Sequence, residues 1–167
     1  KKIAAGEPLN IFAIGSSSTA GAGATSSANS YPSRLAVELV ALFPKQQITV
    51  VNRGVNGEEA RDMLARFDEN VIAEKPDLVI WQVGTNAVLR DHPLTPAGSL
   101  MHEGIARLKE IGADIILLDL QYAPKVLAKA DADGMVELIG ATAKKENVGL
   151  FQRFAVMRHW KQVARIP

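Results

Sequence analysis

Cysteine is absent from the 167-residue sequence, which excludes disulfides and thiolate metal sites and leaves the redox compartment unread. Aromatic residues are scarce, at 5%, so there are few rings to stack on a planar cofactor. A surplus of either charge is also missing. Nineteen Lys and Arg stand against eighteen Asp and Glu, a net charge of +1. Phosphates cannot be neutralised without such a surplus, so nucleic acid is not an expected partner. No apolar run approaches the ~20 residues of a membrane-spanning helix. No His, Asp and Glu fall at metal-ligand spacing, and neither metal nor cofactor is expected. The sequence opens on Lys1 and not on Met. It therefore reads as a processed, trimmed or partial product, compatible with a periplasmic or secreted location.

What is present is a chain with 47% hydrophobic and 22% charged residues, enough for one globular domain with a full core. Its most informative stretch is residues 9–24, LNIFAIGSSSTAGAGA. The apolar run Ile11-Phe12-Ala13-Ile14 ends in Gly15 and reads as a buried strand over 9–14. The chain leaves that strand through a glycine and presents Ser16, Ser17, Ser18 and Thr19 at its carboxyl end. Ligands bind at that end in open α/β sheets. Either one hydroxyl is a nucleophile, or the loop cradles an anion with its N–H groups. A solvated Ser-rich loop is the plainer reading.

The remaining chain alternates between strand and helix signals. Tyr31-Pro32-Ser33-Arg34 opens a helix with proline in the first turn. Its apolar face holds Leu35, Leu39 and Leu42, and Pro44 ends it. Strand two is 48–51, followed by the loop Asn52-Arg53-Gly54-Val55-Asn56-Gly57. The spacing of Met63, Leu64, Phe67 and Val71 predicts one helix, with Glu58 and Glu59 in its first turn and Asn56 as its N-cap. Gly57 is then at a helix N-terminus with a free N–H. Strand three, 77–83, also ends in a glycine, Gly84, followed by Thr85, Asn86 and a loop over 87–94. A helix begins at Thr95-Pro96 and closes at Gly112. Strand four (115–118), a helix (135–146), strand five (148–151) and a final helix (154–164) complete the chain.

This alternation predicts a parallel sheet of five strands with helices on both faces. All strand-to-helix loops of such a sheet open at one edge. A serine, a glycine N–H unobstructed by a Cβ and a two-donor Asn amide then meet there. Those are the parts of an acyl-transfer site, a nucleophile with donors aimed at a developing oxyanion.

With these residues in place, the sequence resembles the SGNH (GDSL-type) hydrolases. Gly15-Ser16-Ser17-Ser18-Thr19 matches the family's Gly-Asp-Ser-Leu block, with Ser17 at the nucleophile and Ser16 replacing the usual Asp. Gly57, within Gly54-Val55-Asn56-Gly57-Glu58, matches the glycine of the second block. Gly84-Thr85-Asn86 matches the third, Gly-x-Asn-Asp, with Ala87 in place of the Asp. The resemblance implies a three-layer α/β/α sandwich around a flavodoxin-like five-stranded parallel sheet in the order 2-1-3-4-5, and ester hydrolysis through an acyl-Ser17. It also implies an oxyanion hole made of the Ser17 N–H, the Gly57 N–H and the Asn86 side chain. The partner it implies is a small-molecule, glycan or lipid acyl ester.

The family's fourth block, Asp-x-x-His, is not found. The sequence has three histidines. His102 reads as surface, and His159 as packing or solvent-facing. His92 falls on the catalytic edge, but beside Asp91, which as a chain neighbour is poorly placed to orient it. A serine without a base is a weak nucleophile. The expectation is therefore a catalytic Asp and His beyond Pro167, in a further segment or a separate fragment of the same protein. Two other readings are a catalytically impaired binding module and a flavodoxin-like FMN carrier that uses the hydroxyl-rich loop for phosphate. A dinucleotide site lacks the third glycine after Gly21-Ala22-Gly23, and no Gly-Lys-Ser/Thr marks a P-loop.

Overall fold

The structure, a computed structural model, describes residues 2–163. In chain order its elements are α1 (Lys2–Ala5), β1 (Leu9–Gly15), α2 (Ser17–Ala20), α3 (Tyr31–Leu42), β2 (Ile48–Gly54), α4 (Ala60–Ala65), α5 (Phe67–Asn70), β3 (Leu78–Gln82), α6 (Thr85–Leu89), α7 (Thr95–Glu110), β4 (Asp114–Leu118), α8 (Pro124–Leu127), α9 (Ala132–Glu146), β5 (Gly149–Phe151) and α10 (Arg153–Val163). The strands form one sheet in the expected order, β2-β1-β3-β4-β5. Every pairing is parallel, with Gly15 opposite Gly54 and Ile14 opposite Trp81. β1 is buried from Ile11 to Gly15, as an apolar strand covered on both faces must be.

The main core lies under α4, α7 and α9, which pack side by side. Its centre is Trp81, fully buried, with Phe67 edge-on to it at 5.1 Å between ring centroids. Gly104 lets α7 close on the indole: a Cβ at that position would lie 2.4 Å from the Trp81 ring. Right-handed crossovers place α3 on the opposite face of the sheet. That face is thinly covered. Within α3 only Pro32 is buried, and Leu42, expected on the packed face, is exposed together with Val37 and Val40.

Several boundaries differ from the expectation. β2 runs on through Asn52-Arg53-Gly54, because pairing with β1 continues to Gly15. The helix after it starts at Ala60. Glu59, and not Asn56, is its N-cap, and Asp62 completes a capping box. Gly57 therefore lies in the turn that precedes the helix, with φ +80°. That helix is also broken at Arg66 into α4 and α5. Part of the expected loop after β3 is helical, as α6. The final helix begins at Arg153, and Ala164, its expected last residue, lies outside the described residues.

Candidate active site

The first loop is shaped by what cannot fit beside Gly15. A Cβ there would lie 2.2 Å from Thr19 Oγ1 and 2.8 Å from Gln82 Oε1. The chain folds back over this glycine into the turn of α2, of which Ser17 is the first residue. Gln82, at the end of β3, holds the turn from below. Its Oε1 accepts the Ser16 N–H at 2.9 Å, the Ser16 hydroxyl at 3.0 Å, the Ser18 hydroxyl at 3.3 Å and the Thr19 hydroxyl at 3.4 Å. Ser16 and Thr19 are buried and Ser17 is half-buried. Neither the N–H nor the hydroxyl of Ser17 has a hydrogen-bond partner among the described residues.

The second loop abuts this turn. Gly54 is required there, since a Cβ would meet the Ala20 backbone nitrogen at 2.2 Å. Asn52 Nδ2 donates to the Thr19 carbonyl at 2.8 Å. Gly57 takes its positive φ in open space, the nearest group to a Cβ being Arg90 Nη2 at 3.5 Å. The Gly57 N–H is unpartnered among the described residues, while its carbonyl accepts from Arg90 Nη2 at 2.8 Å. The third loop ties back to the second: Asn86 Nδ2 donates to the Glu58 carbonyl at 2.8 Å. This bond uses one amide hydrogen of Asn86 and leaves the other available. The structure thus links the loops carrying Ser17, Gly57 and Asn86 at the carboxyl edge of β1, β2 and β3.

His92 is oriented by a carboxylate other than the one beside it in sequence. Asp91 pairs with Lys129, and His92 Nδ1 lies 3.0 Å from Glu59 Oε2. Glu59 also accepts from Arg90 Nη1 at 2.6 Å. Burial pushes the Glu59 carboxyl up, but its bonds to Arg90 and His92 outweigh this and hold it below the usual range. Glu59 and His92 line the mouth of a cleft of about 400 Å³, whose apolar wall includes Val83, Ala87, Leu100 and Met135. His102 pairs at the surface with Glu146, and His159 is exposed.

Two participants were missed in the sequence. Gln82 carried a signal, as a polar residue closing an apolar strand; it is 1% exposed, and buried polar groups are the informative ones. Arg153 carried none. It reaches the serine loop from α10, donating to Ser18 Oγ at 3.0 Å, the Asp119 carbonyl at 2.6 Å and Gln121 Oε1 at 3.1 Å. Burial pulls its guanidinium down to about 10, against the opposing pull of Asp119 and Tyr31. Burial likewise raises the Asp119 carboxyl, although that group accepts the Phe154 N–H at 2.8 Å.

A five-stranded parallel sheet in this order, with a serine turn after β1, matches the fold of the SGNH hydrolases. The chain belongs to the non-GDSL lipase-like family, whose model matches residues 1–166. An acetylxylan esterase of Geobacillus stearothermophilus is 40% identical over 88 residues, which are 53% of this chain and 38% of that protein. An arylesterase of Vibrio mimicus is 27% identical over 109 residues, 65% of this chain and 54% of that protein. The matches thus span 38% and 54% of these relatives' lengths. Among solved structures, Axe2, an acetylxylan esterase from G. stearothermophilus, superposes with a TM-score of 0.82 at 24% identity, covering 93% of this chain and 80% of that one. TesA superposes with a TM-score of 0.74 at 23% identity, over 85% and 77%. At such identities the structural likeness is one of fold. The family match favours the hydrolase reading over a flavin carrier.

Proposed function

We propose that the protein hydrolyses carboxylic esters, with Ser17 as nucleophile and an oxyanion hole formed by the Ser17 N–H, the Gly57 N–H and the Asn86 amide. The observation that carries this reading is the set of donors left free where three loops are tied together. The Ser17 hydroxyl and the N–H groups of Ser17 and Gly57 have no partner among the described residues. In the reaction, Ser17 Oγ attacks the acyl carbon as its proton passes to a base. The ester C–O bond breaks, and the leaving alcohol takes that proton. Water then releases the carboxylate from Ser17. The donors act on the oxygen that gains charge, where fixed dipoles are most effective.

The base and its orienting carboxylate are proposed to come from an Asp-x-x-His segment following Pro167. Catalytic mutants of Axe2 replace a serine, an aspartate and a histidine three positions after that aspartate, which supports this assignment. The substrate class is a small-molecule or glycan acyl ester, in keeping with the names of the esterase relatives; lipid esters are the further extension of the same chemistry. In the complete protein, a serine-directed phosphonate is expected to label Ser17, and peptide mapping of the adduct to Ser16 or Ser18 would overturn the assignment. Asn86→Ala is expected to lower kcat by about 10²–10³, the loss typical of one oxyanion donor. An unchanged kcat would remove Asn86 from the site.

A further inference from the structure

In the first loop, the Ser18 hydroxyl is held from two directions. It donates to Gln82 Oε1 at 3.3 Å and accepts from Arg153 Nη1 at 3.0 Å. Gln82 closes β3 and Arg153 opens α10, so the two anchors come from opposite parts of the chain, 64 residues after Ser18 and 135 residues after it. The Ser16 N–H already requires an oxygen at Gln82 Oε1, which fixes the orientation of that amide. Ser18 must then present its hydrogen to Gln82 and its lone pair to Arg153. One hydroxyl becomes a relay of fixed direction, from guanidinium to hydroxyl to amide oxygen, across the residue next to Ser17.

The guanidinium is itself tightly placed. Its Nη2 donates to the Asp119 carbonyl and Gln121 Oε1, both just beyond the end of β4. The Asp119 carboxylate takes the Phe154 N–H, the second residue of α10. The start of α10 is thereby bound to β4 and cannot drift without carrying Arg153 away from Ser18. A partly buried cation is costly unless it is hydrogen-bonded; here three acceptors converge on the two terminal nitrogens, while Nε is buried without a partner among the described residues. Nothing in this arrangement is needed to form the sheet, whose order and register are complete without α10.

We propose that Arg153 is a positioning residue, which acts through Ser18 and Gln82 to hold the turn that presents Ser17. It rests on the reading of Ser17 as nucleophile. Small displacements of a reacting group cost large factors in rate, so loss of the relay acts on kcat. Substrate contacts elsewhere are untouched, so KM changes little.

The test is a double-mutant cycle in the complete protein, with kcat and KM measured on p-nitrophenyl acetate. Arg153→Ala and Ser18→Ala are each expected to lower kcat about 10–100-fold, with KM within about twofold. Their combination is expected to fall little further, because both break one relay. Free guanidinium at millimolar concentration is expected to restore part of the Arg153→Ala rate and none of the Ser18→Ala rate. Effects that multiply in the double variant, or an unchanged kcat in Ser18→Ala, would overturn the proposal. The Ser18→Ala arm decides the matter even if Arg153→Ala fails to fold. Ser17→Ala separates this from the underlying reading. Activity surviving that change refutes Ser17 as nucleophile, whereas its loss beside an unaffected Ser18→Ala refutes the relay alone.

Discussion

Two glycines three residues apart serve different needs. Gly54 has an ordinary backbone but no room, since a Cβ would stand 2.2 Å from the Ala20 nitrogen and 2.7 Å from its Cα. Backbone cannot swing aside as a side-chain tip can. Gly54→Ala must therefore push α2 off β2, and overpacking of this kind costs about 1–3 kcal/mol. Gly57 has room but a φ of +80°, which an alanine adopts only under strain. Gly54→Ala is expected to lower both Tm and the rate of Ser17 phosphonylation. Gly57→Ala is expected to lower the rate with a smaller loss of Tm. Equal Tm losses in the two variants would contradict the packing argument. Ser16 shows the same dependence on a neighbour. With its N–H and hydroxyl both satisfied by Gln82, an Asp there would set a carboxylate against the Gln82 oxygen. The family's usual residue and this glutamine fit poorly together in this orientation.

At the scale of elements, the second and third loops are held together by Glu59, which caps α4, pairs with Arg90 and orients His92. A carboxyl whose folded pKa lies below its unfolded value stabilises the fold above the unfolded pKa. That stabilisation is lost as pH falls through the folded value. Glu59→Gln removes this contribution while keeping an oxygen for the cap. The Tm of the variant is therefore expected to fall less steeply than that of the parent between about pH 5 and pH 3, where ordinary carboxyls titrate. Parallel curves would show that the clamp carries no linkage. The strands that bring these loops together were readable in the sequence, because a buried parallel strand is an apolar run ending in glycine. So was the adjoining of the three loops that carry Ser17, Gly57 and Asn86, since chain order and sheet order together decide it. The capping of α4 was not. Asn56 is the cap that residue type suggests, but Glu59 takes that place, as β2 pairs three residues further than its apolar run extends. Nor were the contacts of Arg153 and of His92 with Glu59. They join positions far apart in the chain, and local periodicity carries no information on them.

At the scale of the whole molecule, the nucleophile loop stands at the end of the best-buried strand, whereas no base is hydrogen-bonded to Ser17 among the described residues. An imidazole must come within ~2.6–3.2 Å of the Ser17 hydroxyl to act as general base. Sequence 1–167 contains no Asp-x-x-His, and its one carboxylate-oriented histidine on the catalytic edge is His92, more than half exposed. Two chains decide between a segment supplied after Pro167 and His92 itself: the 1–167 chain, and one extended to the Asp-x-x-His. Removing the base of a serine hydrolase costs about 10⁴-fold, while an oxyanion hole alone keeps a remainder. The 1–167 chain is therefore expected to hydrolyse p-nitrophenyl acetate about 10⁴-fold more slowly than the extended chain, with His92→Ala changing neither rate appreciably. Comparable rates from the two chains, abolished by His92→Ala, would instead make the His92–Glu59 pair the base. The cleft behind that pair would then be part of the active site, and the fourth block would be dispensable to this protein.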